Sequence, residues 1–375
     1  CLLLAASLSG AGMEGGGDPF CPRQGIAMLA LMRLSVFAFA TLLPAALLVA
    51  GALWGGVWIW AAPVSIGLVW LAIDPLTAPK ARAGAEFPGA DGLLALLGVL
   101  QLTHLPLGIW ALTTRLEGGE WLAGLVGFGL FFGQIGNPAA HELIHRADPR
   151  LRRLGAVVYT AFLFGHHVSA HRLVHHAQVA TPGDPNSARR GQGFWRFLPR
   201  AWIGSFRAGL AAERALAARA QGQRRNPYAL YVLGALAMLA GSALSFGVWG
   251  VMAHLLLAAH AQSQLLVSDY VQHYGLRRQK LADGRFEPVG PQHSWNAAGW
   301  YSAAITLNAP LHSDHHAHPA RPYPQLELPA GAPLLPAPLP AMAVLALVPP
   351  LWRRVMDPRL EQTLCGASGV PLAAT

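Results

Sequence analysis

Six stretches of this chain contain no aspartate, glutamate, lysine or arginine, and they fall into three pairs with short breaks between partners. Residues 34–53 and 57–73 flank Gly55 and Gly56, residues 93–112 and 121–140 flank a polar turn, and residues 228–246 and 248–267 are parted by Gly247 alone. A helix needs about 20 mostly apolar residues to cross a bilayer, so the pattern predicts six transmembrane helices in three hairpins. Three apolar runs are left over: 156–164, 297–311 and the proline-rich 332–352.

The polar positions between these stretches are rich in histidine. HELIH places His141 and His145 four residues apart, and GHHVSAHRLVHH packs five histidines into eleven residues. DYVQHYG holds His273, and HSDHH holds His312, His315 and His316. A lone histidine is usually a satisfied polar residue, but adjacent pairs and triples read as metal ligands. If the second cluster is helical, His171 and His175 share a face and His176 points about 140° away, so that trio can serve two ions. The candidate ligands are His141, His145, His171, His175, His176, His273, His312, His315 and His316. Imidazole suits zinc, copper, iron and nickel, and nine ligands exceed what one four- to six-coordinate ion accepts. Two ions are the economical expectation. Glu142, Asp184, Asp269 and Asp314 adjoin the clusters and are candidates to accept the second ring N–H of a ligating histidine.

One site built from all clusters requires that they share a face of the membrane, so the chain crosses an even number of times between successive clusters. Runs 156–164 and 297–311 each stand alone between two clusters and therefore should not span; the prolines of 332–352 favour a membrane-edge segment. Composition agrees with a membrane protein: 53% of residues are hydrophobic and 12% charged, too apolar for an ordinary soluble domain. Arginine and lysine favour the cytoplasmic side of short loops. The loops opposite the histidines hold only Arg115, whereas the histidine side holds Lys80, Arg82, Arg146, Arg150, Arg152, Arg153, Arg277, Arg278 and Lys280. The expected fold is an all-α integral membrane protein with six transmembrane helices and a cytoplasmic histidine-rich site. The net charge of +9 follows from this bias and gives no reason to invoke nucleic acid.

Cys1, Cys21 and Cys365 form no CxxC pair, so any metal is held by nitrogen and oxygen. Residues 1–27 lack the basic start of a secretory signal and are expected to be a non-native or disordered extension, with Met28 or Met32 as alternative initiators. Residues 28–360 then form one membrane domain, followed by a tail, 361–375.

HELIHR, AHRLVHH followed by ATPGDP, DYVQHYG, HSDHHAHPARPY and the tail PPLWRRVMDPRL occur in this order. Together they resemble the membrane-bound alkane 1-monooxygenase (alkane omega-hydroxylase) family within the fatty-acid desaturase-like superfamily. The resemblance implies a non-haem di-iron centre with two iron ions held by the nine histidines above, and O2 activation. It also implies electrons delivered by rubredoxin from an NAD(P)H-dependent rubredoxin reductase, and hydroxylation of the terminal methyl of a medium- or long-chain alkane taken from the bilayer. The expected location is a bacterial-type inner membrane, multi-pass. Departures from the family pattern at Ala170, Val174, Asp269, Gln272, Pro310 and Leu311 spare all nine histidines and bear on substrate and partner instead.

Three rival readings stand beside this one. A desaturase, or a hydroxylase of a fatty acyl or methyl-aromatic substrate, shares the site plan. HELIH also fits the HExxH zinc-protease motif, which leaves seven clustered histidines unexplained. A metal transporter would want its ligands near mid-membrane. The chain has no flavin, haem or cysteine-cluster motif, so reducing power must come from a separate carrier. Arg277, Arg278 and Arg321 follow candidate ligands closely and are candidates for docking a small acidic one. Trp54, Trp58, Trp60 and Trp70 are candidates to line a substrate channel or to anchor the first hairpin at the interface.

Overall fold

The computed structural model describes residues 22–76, 89–221 and 223–368. Lys80, Arg82 and most of the expected N-terminal extension lie outside them. The described residues are helical throughout, apart from loops and two isolated bridges, Lys280 with Phe286 and Asn296 with Leu334.

The first hairpin is α1 (Pro22–Trp54) and α2 (Gly56–Gly67), which bends by 50° at Leu68 into α3 (Val69–Ile73). The second begins with α4 (Ala90–Trp110), prolonged by a π turn over Ala111–Arg115. It returns through α5 (Gly118–Leu130), a π segment over Phe131–Gly136 and α6 (Asn137–His145). Leu34–Trp54, Ala90–Arg115 and Tyr228–Gln272 are long and apolar enough to cross a membrane, and the bent pair Gly56–Gly67 and Val69–Leu76 is a fourth span if counted as one.

The third hairpin lies within the 45 helical residues Tyr228–Gln272, here α11. Gly247 interrupts them at φ 62°, ψ −154°, a conformation essentially confined to glycine. Ser242 Oγ lies 2.8 Å from His254 Nδ1. Twelve residues along a straight helix cover about 18 Å, so the chain folds back at Gly247 into two arms, 228–246 and 248–272, as the apolar pattern predicts.

A π turn moves hydrogen bonds from i→i+4 to i→i+5 and leaves carbonyls to be satisfied from outside. Around Phe131–Gly136 the neighbouring helices do this. Gln101 Nε2 donates to Gly136 O and Gln264 Nε2 to Gly129 O, each at 2.8 Å. The side chains of His260 and Gln264 cross α5 and its π segment where Gly129 and Gly133 leave no room for a Cβ. At the far end from the histidines, Arg115 donates to Leu53 O and Gly56 N donates to Glu120 Oε1, clipping the first two hairpins together.

The remaining elements include α7 (Pro149–Ala161), α8 (His167–Ala170), a π turn over His171–His175, α9 (His176–Gln178), α10 (Phe194–Arg219), α12 (Trp300–Ile305), α13 (His312–Ala317), α14 (Leu339–Ala346) and α15 (Pro349–Ser368). Run 156–164 begins within the 13-residue α7 and run 297–311 holds the 6-residue α12, both too short to cross. Asp74 Oδ1 accepts the amides of Tyr301 and Ser302, capping α12 and fixing the approach to the third histidine cluster from the first hairpin. Trp54, Trp58 and Trp60 are exposed on the outside and Trp70 is buried.

Candidate metal centre

The nine histidines converge into two groups. His141, His145, His171, His176 and His315 form one; His175, His273, His312 and His316 form the other. In the first group, His171 Nε2 lies 2.8 Å from His141 Nε2, 3.1 Å from His145 Nε2 and 2.9 Å from His176 Nε2. His176 Nε2 lies 3.2 Å from His315 Nε2. In the second, His312 Nε2 lies 3.0 Å from His273 Nε2 and 3.1 Å from His316 Nε2.

One ring nitrogen carries a single proton or a single lone pair, so His171 Nε2 cannot satisfy three nitrogen neighbours by hydrogen bonding. A shared cation can. Two ligand nitrogens about 2.1 Å from an ion and about 3 Å apart subtend roughly a right angle there. The donor set fits a metal well. Burial, with the neighbouring imidazoles adding to it, holds His145, His171, His176, His312, His315 and His316 well below the ordinary imidazole value. That keeps them neutral, the form that ligates. His175 moves the other way: its burial is outweighed by Asp184 and Asp269.

The partition differs from the helical expectation at one point. His171 and His176 share a group, and His175 joins the other. The cause is the π turn over His171–His175, which carries residue i+5 rather than i+4 back over residue i.

Of the four candidate carboxylates, Asp184 touches a ligand directly: His175 Nδ1–H donates to its Oδ2 at 2.9 Å. That leaves His175 Nε2 buried and unpaired, facing its group. Asp269 accepts from Asn186 Nδ2 at 2.6 Å, and Asn186 N donates to Asp184 Oδ1. Glu142 accepts from Tyr323 N and pairs with Arg146. Asp314 takes Arg321 on both oxygens, His318 and the amide of Glu327. His273 and His312 give their remaining ring nitrogen to the carbonyls of His293 and Ala309.

Two histidines of the second cluster that the spacing leaves without a role have one in packing. His167 stacks on His171 with centroids 5.0 Å apart. His166 is enclosed by Phe164, Trp202 and Phe206 and meets Ser205 Oγ. The doubled histidine after Gly165 was the available signal.

A cavity of about 500 Å³ opens onto His141, His171, His312 and His315. Leu130, Leu265, Leu339 and Val344 are among its apolar walls, and Glu142 and Asp269 also border it. None of the four first-hairpin tryptophans does.

A fatty acid desaturase family model matches residues 119–341, which contain every histidine of both groups. The chain is 35% identical over 269 residues to alkane 1-monooxygenase 1 of Pseudomonas aeruginosa, covering 69% of this chain and 70% of the relative. Alkane 1-monooxygenase 2 of the same organism is 36% identical over 287 residues, covering 72% and 74%. This chain belongs to the alkane 1-monooxygenase family. It is an oxidoreductase of monooxygenase type. A more distant relative, the xylene/toluene monooxygenase hydroxylase component XylM of Pseudomonas putida, is 27% identical over 221 residues, 57% of this chain and 58% of the relative. Within this monooxygenase the departures from the family pattern have structural places. Gln272 donates to Ala309 O just before α13, and Asp269 holds the Asn186 loop. The HExxH reading loses its footing, because His141 and His145 share their group with three further ring nitrogens, more than a protease zinc takes.

Proposed function

We propose that this protein hydroxylates the terminal methyl of a medium- or long-chain alkane to a primary alcohol. It would use O2, two electrons delivered by rubredoxin and two protons, and release one water. The observation that carries the reading is the two all-nitrogen groups at one end of a mostly apolar cavity. The nine histidines would hold two iron ions, whose chemistry when bound is reductive activation of O2 for attack on an inert C–H bond. The chain supplies the rest. Leu130, Leu265 and Val344 hold a hydrocarbon by burial alone and exclude water, while Asp184 fixes the His175 ring. Burial raises Glu142 to about 7. It borders the cavity and can hold a proton that the reaction consumes.

Six spans accommodate the geometry: 34–54, 56–76, 90–115, 118–140, 228–246 and the first part of 248–272. All three hairpins would then turn on the side away from the histidines. The arginines around α7 and after His273 argue that the histidine side faces the cytoplasm, in a cell membrane of bacterial type.

Membranes containing the protein, supplied with rubredoxin, its reductase and NADH, should convert an alkane series to primary alcohols. An unsaturated product would show a desaturase instead. The XylM relative favours methyl-aromatic compounds as a second substrate class, so xylene belongs in the series. One tightly bound zinc per active chain, in place of iron, would sink the di-iron reading.

A further inference from the structure

The cavity is not uniformly apolar. Gln134, Asn137, His260, Ser263 and Gln264 border it beyond the metal groups. Three of these are engaged with backbone: Asn137 Nδ2 donates to Ala261 O, Gln264 Nε2 to Gly129 O, and His260 bonds Leu125 O. Gln134 differs. Its Oε1 is buried and has no hydrogen-bond partner among the described residues. A buried unpaired amide oxygen is costly, and leucine or methionine would fill the same space against a pure hydrocarbon at no such cost. Gln134 precedes His141 by seven residues, roughly 10 Å along the axis, and both border the same cavity. Gln134 therefore lies several methylenes away from a metal-group histidine.

We propose that Gln134 is a hydrogen-bonding subsite for a hydroxyl carried on the substrate chain, so that the protein takes long-chain primary alcohols as well as hydrocarbons and oxidises them at the far methyl. A hydroxyl both donates and accepts, so it pairs with the amide in either orientation. The substrate lies with its hydroxyl at Gln134 and its methyl toward His141 and His315. The far methyl gains a second hydroxyl in the same balance as above, one O2, two electrons from the carrier protein and two protons giving a diol and one water. The inference rests on the alkane-hydroxylase reading for that step; the subsite rests on Gln134 alone.

Binding, rather than turnover, tests it. Purified protein in nanodiscs is titrated with 1-dodecanol and with dodecane, and Kd is read by thermal shift, for the native chain and for Gln134→Leu. Gln134→Met serves as a second variant of similar volume. The expected result is that each variant weakens dodecanol binding roughly three- to tenfold, the range for one lost hydrogen bond, and tightens dodecane binding. An unchanged dodecanol-to-dodecane ratio in both variants overturns the subsite and leaves the alkane reading standing. Dodecanol bound through Gln134 with no dodecane bound supports the subsite and removes the alkane reading.

Discussion

His175 and His176 are neighbours in the chain and serve opposite groups, and the reason shows what a sequence can and cannot disclose at the scale of a residue. That the nine histidines gather was legible, because clustered imidazoles have few other uses. Their division was not, because a π turn leaves no mark on the hydrophobic pattern. Asp184 was legible as a neighbour of the cluster, but only the fold shows that it alone among the four carboxylates bonds a ligand ring. Partners of this kind typically change metal affinity by about 10- to 100-fold. Asp184→Asn should therefore lose metal from the His175 group first. The expected iron content after mild chelation is about half that of the native protein, measured by elemental analysis, and an unchanged content would remove Asp184 from that role. His315→Ala should abolish turnover while the protein remains in the membrane, since His315 Nε2 is one of the five converging nitrogens; an active variant would place His315 outside the centre.

Elements follow from the pattern more directly than site geometry does. The hairpins were readable because charge-free runs separated by Gly55–Gly56 or Gly247 have few other solutions in a bilayer. The 50° bend at Leu68 and the π segments were not readable, since neither leaves a mark on the hydrophobic pattern. Those π segments depend on polar side chains from neighbouring helices, and Gly133 is where Gln264 crosses. Gly133→Ala would displace Gln264 and break its bond to Gly129 O, and overpacking of this sort costs about 1–3 kcal/mol. A lower thermal midpoint in detergent checks this; an unchanged one would mean that Gln264 can move aside freely. The hairpin arrangement also sets a topology. Reporter tags at Ala147, Ser187 and Asp283 should all report cytoplasm and a tag at Gly118 the outside. A periplasmic report at Asp283 would put His273 across the membrane from His176, which a single site cannot allow.

At the scale of the whole molecule, the question is how electrons would reach the buried histidine groups, since the sequence carries no flavin, haem or cysteine-cluster motif. Of the arginines that follow the histidine clusters, Arg321 is bound on both oxygens of Asp314, and Arg278 donates to the carbonyls of Glu287 and Ala177. Arg277 and Arg189 have no hydrogen bond or ion pair from their side chains among the described residues, and with Arg200 they lie near enough to repel one another over Asp184. Arg200 is held by Ser187 O and Gln192 Oε1, so Arg189 and Arg277, offset by Asp184 but without side-chain bonds, are the charges available to an acidic partner that arrives from outside. Behind them Asp184 bonds His175, so an acidic carrier docked there sits two side chains from a metal group. Rim charges of this kind act mainly on association rate, and salt screens them with a Debye length of about 10 Å at 0.1 M. Turnover at limiting rubredoxin should fall as ionic strength rises. Arg189→Glu with Arg277→Glu should raise the KM for rubredoxin on the order of tenfold, with little effect on the KM for the alkane. Arg278→Glu would disturb the fold itself and is the less informative variant. If both constants are unmoved in the double variant, the carrier docks elsewhere and these arginines face the lipid headgroups.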